Sequence, residues 1–127
     1  MDEEEVATQA MNDAIGPFYD CAGLQKWLDL TEDDVLELER QGHLLAVRPL
    51  DGDLLFPTYQ FGPGGALLPS LDEVLKVLRR WLSDWGTAAW MVNEDRQDGM
   101  SKLERLRSGD GERVIRDATR LAEILSH

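Results

Sequence analysis

Residues 21–61 read CAGLQKWLDLTEDDVLELERQGHLLAVRPLDGDLLFPTYQF, and the punctuation of this stretch decides the fold. Cys21 to Leu28 predicts a helix with Leu24, Trp27 and Leu28 facing inward, followed by a tight turn at Asp29-Leu30. Thr31 is placed to cap a second helix whose first turn carries Glu32, Asp33 and Asp34, where acids suit the positive end of the helix dipole. That helix runs to about Gln41, with Val35, Leu38 and Leu36 as its apolar positions and Gly42 as its stop. Two short helices joined by so brief a turn form a helix-turn-helix pattern. The apolar runs Leu44–Val47 and Leu54–Phe56 flank Asp51-Gly52, a dipeptide that tolerates positive φ and so favours a hairpin, the wing. Residues 56–61, FPTYQF, close the unit with aromatic side chains that pack back on the helices.

On the N-terminal side, Asp2, Glu3, Glu4 and Glu5 precede Val6, Ala7, Ala10, Met11, Ala14 and Ile15, which can line one side of a short helix ended by Gly16-Pro17. This arm is either a solvated leader or a segment that docks on this or another chain. On the C-terminal side, Gly62-Pro63-Gly64-Gly65 is the clearest linker. Ser70 to Glu73 has the form of a capping box, and Leu71, Val74, Leu75, Leu78, Trp81, Leu82 and Trp85 recur at helical spacing, which predicts one central helix. A shorter apolar stretch, Ala88 to Val92, precedes a polar connector from Asn93 to Gly99. Leu103 and Leu106 mark a further turn or two of helix. Asp110 is placed to cap a last helix with Val114, Ile115, Ala118, Leu121, Ala122 and Leu125 on one face. The expected class is mainly α with a small β-hairpin: an acidic arm over 1–15, a winged helix-turn-helix-like subdomain over 16–62, and a helical subdomain over 66–127.

A chain of 127 residues can bury roughly two thirds of its unfolded surface and hold a core without staples. Residues 1–61 hold 14 acids and 3 bases, and residues 62–127 hold 11 acids and 10 bases, so nearly all of the net charge of -12 lies in the first half. Such a field repels polyanions and favours cationic surfaces, which makes free DNA a poor first partner. The single cysteine, Cys21, excludes an intrachain disulfide and a cysteine-based zinc site, and fits a reducing cytoplasm. No signal peptide and no membrane span is visible, so the expected location is cytoplasmic.

Catalytic chemistry finds little support. The histidines are His43, between a helix stop and a strand, and His127, the last residue, so no nucleophile has an evident base. Cys21 reads as a small buried residue. Asp33 with Glu37, and Asp51 with Asp53, lack the ligand spacing of a calcium loop and read as solvated faces. Gly62 to Gly65 lacks the Lys-Ser/Thr ending of a phosphate loop. No enzyme, metal or cofactor is expected. Trp27, Trp81, Trp85 and Trp90 read first as core, and otherwise as anchors for a protein partner. Arg113, Arg116 and Arg120 share one side of the last helix, opposite its apolar face, either as a solvated face or as a contact strip for an acidic partner or for the acidic N-terminal half of this same protein.

From about Gly16 to Leu125 the chain resembles bacterial proteins that carry the Xre/MbcA/ParS-type antitoxin, toxin-binding domain. The residues that carry the likeness are Leu44-Leu45-Ala46-Val47, Asp51-Gly52, Phe56-Pro57 and Gln60-Phe61, then Ala89-Trp90-Met91-Val92-Asn93, Gly99, Leu103, Leu106, Gly109-Asp110, Val114 and Ala118. Lys102 stands behind Ser101 where the pattern leads one to expect a proline. The resemblance implies a helical domain that grips a RES-class, NAD-depleting toxin, with the last helix and tail near the toxin's active site. On this chain those positions are Arg113, Arg116, Arg120, Glu123, Leu125, Ser126 and His127. It also implies promoter binding through the helix-turn-helix, for which Lys26, Thr31, Arg40, His43 and Arg48 are the available donors against Glu32, Asp33, Asp34, Glu37 and Glu39.

The leading expectation is therefore an antitoxin that occludes a RES-type protein toxin, as a homo-oligomer or as a hetero-oligomer with the toxin. The alternative is a winged-helix transcriptional regulator or DNA-binding-associated adaptor whose DNA contact is supplied by a dimer or a second protein. A third reading is a decoy that uses its acidic winged shape to bind a basic surface.

Overall fold

The computed structural model describes residues 15–49 and 52–126. The N-terminal arm other than Ile15, Asp51 of the expected turn, and His127 lie outside the described residues. The described chain is mainly helical with one small antiparallel sheet, and none of its helices is long and apolar enough to cross a membrane.

Strand β1 (Phe18–Asp20) leads directly into helix α1 (Cys21–Leu28), which Asp20 caps by accepting from the Gly23 N–H at 2.7 Å. Asp29 adopts the left-handed conformation (φ 56, ψ 50) and turns the chain into helix α2 (Glu32–Arg40). Thr31 and Asp34 form a reciprocal capping box, each side chain accepting from the other's backbone N–H at 3.1 Å. Leu24 of α1 and Val35 of α2 meet Leu44, Ala46 and Phe56 in one buried cluster. Trp27 does not join them: it is 43% exposed, stacked on Tyr19 at 5.1 Å and edge-on to Phe61 at 5.3 Å.

The expected hairpin is much reduced. Strand β2 (Leu55–Pro57) meets residues 44–47 at a single bridge, Val47 with Leu55, and its ladder runs instead to β1, with Phe18 opposite Pro57, Tyr19 opposite Phe56 and Asp20 opposite Leu55. The cause is Gln60. This fully buried side chain accepts from the Leu45 N–H at 2.8 Å and donates to the Leu45 and Pro57 carbonyls at 2.8 and 3.0 Å, taking the place of a neighbouring strand.

The expected long helix over 71–85 is two. Helix α3 (Leu71–Leu78) stops at Arg79, and helix α4 (Asp84–Val92) restarts behind Ser83, whose hydroxyl accepts from the Gly86 N–H at 3.0 Å. Trp81, in the break, is 41% exposed. The Ser70 cap is absent because Ser70 is left-handed (φ 66) and packs against the start of the last helix, where a Cβ on Gly111 would fall 2.5 Å from its hydroxyl. Helix α5 (Lys102–Arg107) opens with a Ser101–Glu104 capping box, so Lys102 leaves the start of that helix intact. Helix α6 (Gly111–Leu125) begins at Asp110, which makes no side-chain cap bond and instead donates its N–H to the Arg105 carbonyl at 2.8 Å.

Helices α3 and α6 pack face to face at the centre of the larger core. Ile15, Leu45 and Val47 from the first half are buried in that core beside Leu71, Leu75, Leu78, Met91, Leu106 and Val114, so it spans the Gly62–Gly65 segment. Tyr59 adds a polar tie across the same divide, donating to the Ala88 carbonyl at 3.0 Å, and burial pushes its phenol pKa up.

Candidate functional site

Two faces carry the residues singled out by sequence. The first lies on α2 and the loop that follows Val47. Because Val47 and Leu55 are bridged, Arg48 on one side and Gly52, Asp53 and Leu54 on the other lie beside α2. The groove between them is lined by Glu32, Leu36, Arg40, Arg48, Asp53 and Leu54, among others. Arg40 and Arg48 are thus brought together and both are exposed. Lys26 is exposed on α1 but is not among the groove's lining residues, and Thr31 is exposed with its hydroxyl committed to Asp34. His43 is half-buried and set 3.9 Å from the Asp72 carboxylate at the start of α3, which leaves it apart from the arginines.

The acids of α2 are not equivalent. Asp34 is occupied by the capping box, Glu37 pairs with Arg40 and accepts from the Gln41 amide at 2.8 Å, and Glu39 meets Arg79, just past the end of α3, at 3.3 Å. Arg79 also donates to the Glu39 carbonyl at 2.7 Å, which neutralises the negative end of the helix. Glu32, Asp33 and Asp34 are exposed with no ion-pair partner among the described residues, Asp34 accepting the Thr31 N–H. The field of this face is therefore less negative than its sequence suggests.

The second face is the far end of α6. Arg113 is drawn into an ion pair with Asp95 at 3.3 Å, while Arg116, Arg120 and Glu123 are exposed and Ser126 donates to the Glu123 carbonyl at 2.9 Å. Leu125, expected in the core, is 42% exposed, and Ile124 is 63% exposed. Beside them α4 and α6 border an apolar groove that includes Leu82, Ala89, Trp90, Val92 and Leu121. Lys102 lies over the Trp90 ring at 5.1 Å.

The connector before α5 is shaped by a residue that sequence reasoning passed over. Arg105 is buried and reaches Asp98 at 2.7 Å and Asp95 at 3.4 Å, so that Asp95 bridges Arg105 and Arg113. The Asp98 carboxyl is held below its usual range, first by accepting the Met100 N–H and then by Arg105. The only sequence signal was an arginine between Leu103 and Leu106, which marks a helix position near the core but names no partner. No group of three or more His, Cys, Asp or Glu among the described residues is gathered to hold a metal ion.

No family model matches the chain, and no curated protein does. Among solved structures the chain is similar to one described as the NMR structure of Rv2175c, at 24% identity and a TM-score of 0.72, over 84% of this chain and 81% of that one. At that identity the likeness is one of fold, and it extends over both halves of the molecule.

Proposed function

We propose that the chain is a winged helix-turn-helix regulator that associates with DNA through α2 and the neighbouring residues Arg48 and Gly52 to Leu54. One observation carries this reading: Arg48, next to the Val47–Leu55 bridge, shares a groove with Arg40 of α2. A helix with a flanking loop is the arrangement that reads a major groove with one element and holds phosphate with the other. The pairing of Glu39 with Arg79 supports it by removing part of the repulsion that the sequence implied. With 14 acids against 3 bases in residues 1–61, the affinity of one chain is weak and confined to low salt.

A gel-shift salt series on duplex from the chain's own upstream region tests it. The wild type binds at low salt, and Arg40→Ala with Arg48→Ala abolishes the shift or flattens its salt slope by roughly 2. No binding by the wild type at any salt removes the reading.

A second reading, toxin neutralisation by occlusion, is favoured by the joint exposure of Arg116, Arg120, Glu123, Leu125 and Ser126 on the last turns of α6. It predicts a stable complex when the chain is co-expressed with a RES-class enzyme encoded beside it, and a clean failure to associate counts against it.

A further inference from the structure

The bases of the second half are not spread evenly along it. Residues 74–83 hold Lys76, Arg79 and Arg80 and no acid, and all three residues are exposed around the end of α3. The fold sets this end of α3 against the C-terminal end of α2. Arg79 donates to the Glu39 carbonyl at 2.7 Å and pairs with its carboxylate at 3.3 Å, and a Cβ on Gly42 would lie 3.6 Å from the Lys76 stem. We infer that Lys76 and Arg80 hold the phosphate backbone of a DNA duplex whose groove receives α2. The inference rests on the DNA reading above and adds to it a contact from the second half of the chain.

Local charge selects an anion. At the C-terminal end of α2, Glu37 is matched by Arg40 and Glu39 by Arg79, and Arg79 also covers a carbonyl of the helix end that would otherwise repel phosphate. Lys76 and Arg80 have no ion-pair partner among the described residues, so they are the cations in excess there. The acids of α3, Asp72 and Glu73, lie in its first turn, and Asp72 faces His43 at 3.9 Å. Position selects the duplex backbone. A recognition helix meets base edges with its N-terminal residues, which leaves its C-terminal end toward the phosphates at the edge of the groove. Lys76 and Arg80 stand beside that end without entering the groove. Trp81 steadies Arg80, whose guanidinium lies 5.8 Å from the centroid of this 41% exposed indole. Contacts to phosphate fix register and add affinity but read no sequence.

Fluorescence anisotropy over a salt series tests it, with the full chain on the upstream duplex and on a scrambled duplex of equal length. Lys76→Gln with Arg80→Gln is expected to lower affinity at low salt about tenfold on both duplexes and to flatten the salt slope by roughly 2. Helical circular dichroism and melting temperature are expected to stay unchanged, because both residues are exposed. Lys76→Arg with Arg80→Lys keeps the charges and should keep the slope. Arg116→Gln with Arg120→Gln removes the same charge from exposed positions of α6 and should leave the slope as it is. An equal loss from that α6 pair overturns the inference by tracing the effect to overall charge. An unchanged slope in Lys76→Gln with Arg80→Gln, while Arg40→Ala with Arg48→Ala abolishes binding, overturns it and leaves the DNA reading standing. A loss confined to the upstream duplex overturns the assignment to phosphate, and a wild type that binds neither duplex removes both readings.

Discussion

Gln60→Leu is expected to lower the unfolding free energy by about 3 kcal/mol, since each buried amide group left without a partner costs about 1–3 kcal/mol. The side chain satisfies both the N–H and the C=O of Leu45 and also the Pro57 carbonyl, and it is fully buried. Leucine has a similar volume, so little of the loss would come from a cavity. Denaturant unfolding is the measurement, read as a fall in midpoint at constant slope. A loss below about 1 kcal/mol would show that Leu45 finds other partners and that the amide is not what replaces the strand. Gln60→Glu provides the internal comparison: kept protonated at low pH it can still accept from the Leu45 N–H and has one O–H to donate where the amide donates to both the Leu45 and Pro57 carbonyls, so it should fall between wild type and leucine.

The second large effect concerns association. Glu32 and Asp33 are exposed acids of α2 that, unlike Asp34, take no part in the capping box and have no ion-pair partner among the described residues. Changing both to lysine reverses the field in front of the helix without disturbing Thr31, Asp34 or Val35. If α2 and Arg48 face DNA, affinity at low salt rises by at least tenfold and the slope of log affinity against log salt steepens by roughly 2, one for each added phosphate contact. Fluorescence anisotropy on a labelled duplex reads both quantities. An unchanged slope would place α2 away from the nucleic acid. A cost to stability is expected as well, because acids in the first turn favour the helix dipole by about 0.3–1 kcal/mol each, and a melting curve separates it from the binding effect.

Much of the helical layout could be read from local signals. Thr31 and Gly42 marked the ends of α2, and Leu103 with Leu106 marked α5, whose Ser101–Glu104 capping box was a local signal left unused, since caps are decided within four residues. What escaped was non-local. Phe18–Asp20 is three residues long, too short for alternation to show, and it is a strand only because Leu55–Pro57 lies beside it. The break between α3 and α4 was hidden because Trp81, Leu82 and Trp85 keep the helical phase of Leu71 to Leu78 although the helix stops; Ser83-Asp84 was the local signal that could have revealed it. Ser70 met the pattern of a cap, but its conformation is dictated by close contact with Gly111, 41 positions away in the chain. On the candidate site, Arg40 and Arg48 were legible as donors, whereas the neutralisation of Glu39 by Arg79 and the burial of Arg105 against Asp98 depend on tertiary placement. The exposure of Ile124 and Leu125 was likewise not legible, since periodicity gives the apolar side of a helix and not where its support ends.

The interlocked core has an evolutionary consequence. Ile15, Leu45 and Val47 are shared with α3, α4 and α6, so neither half could be exchanged by recombination at the glycine segment without stranding apolar surface on both products. A lineage that keeps this core must therefore alter its two faces by substitution in place, and the acidic and near-neutral ends of the molecule are inherited together.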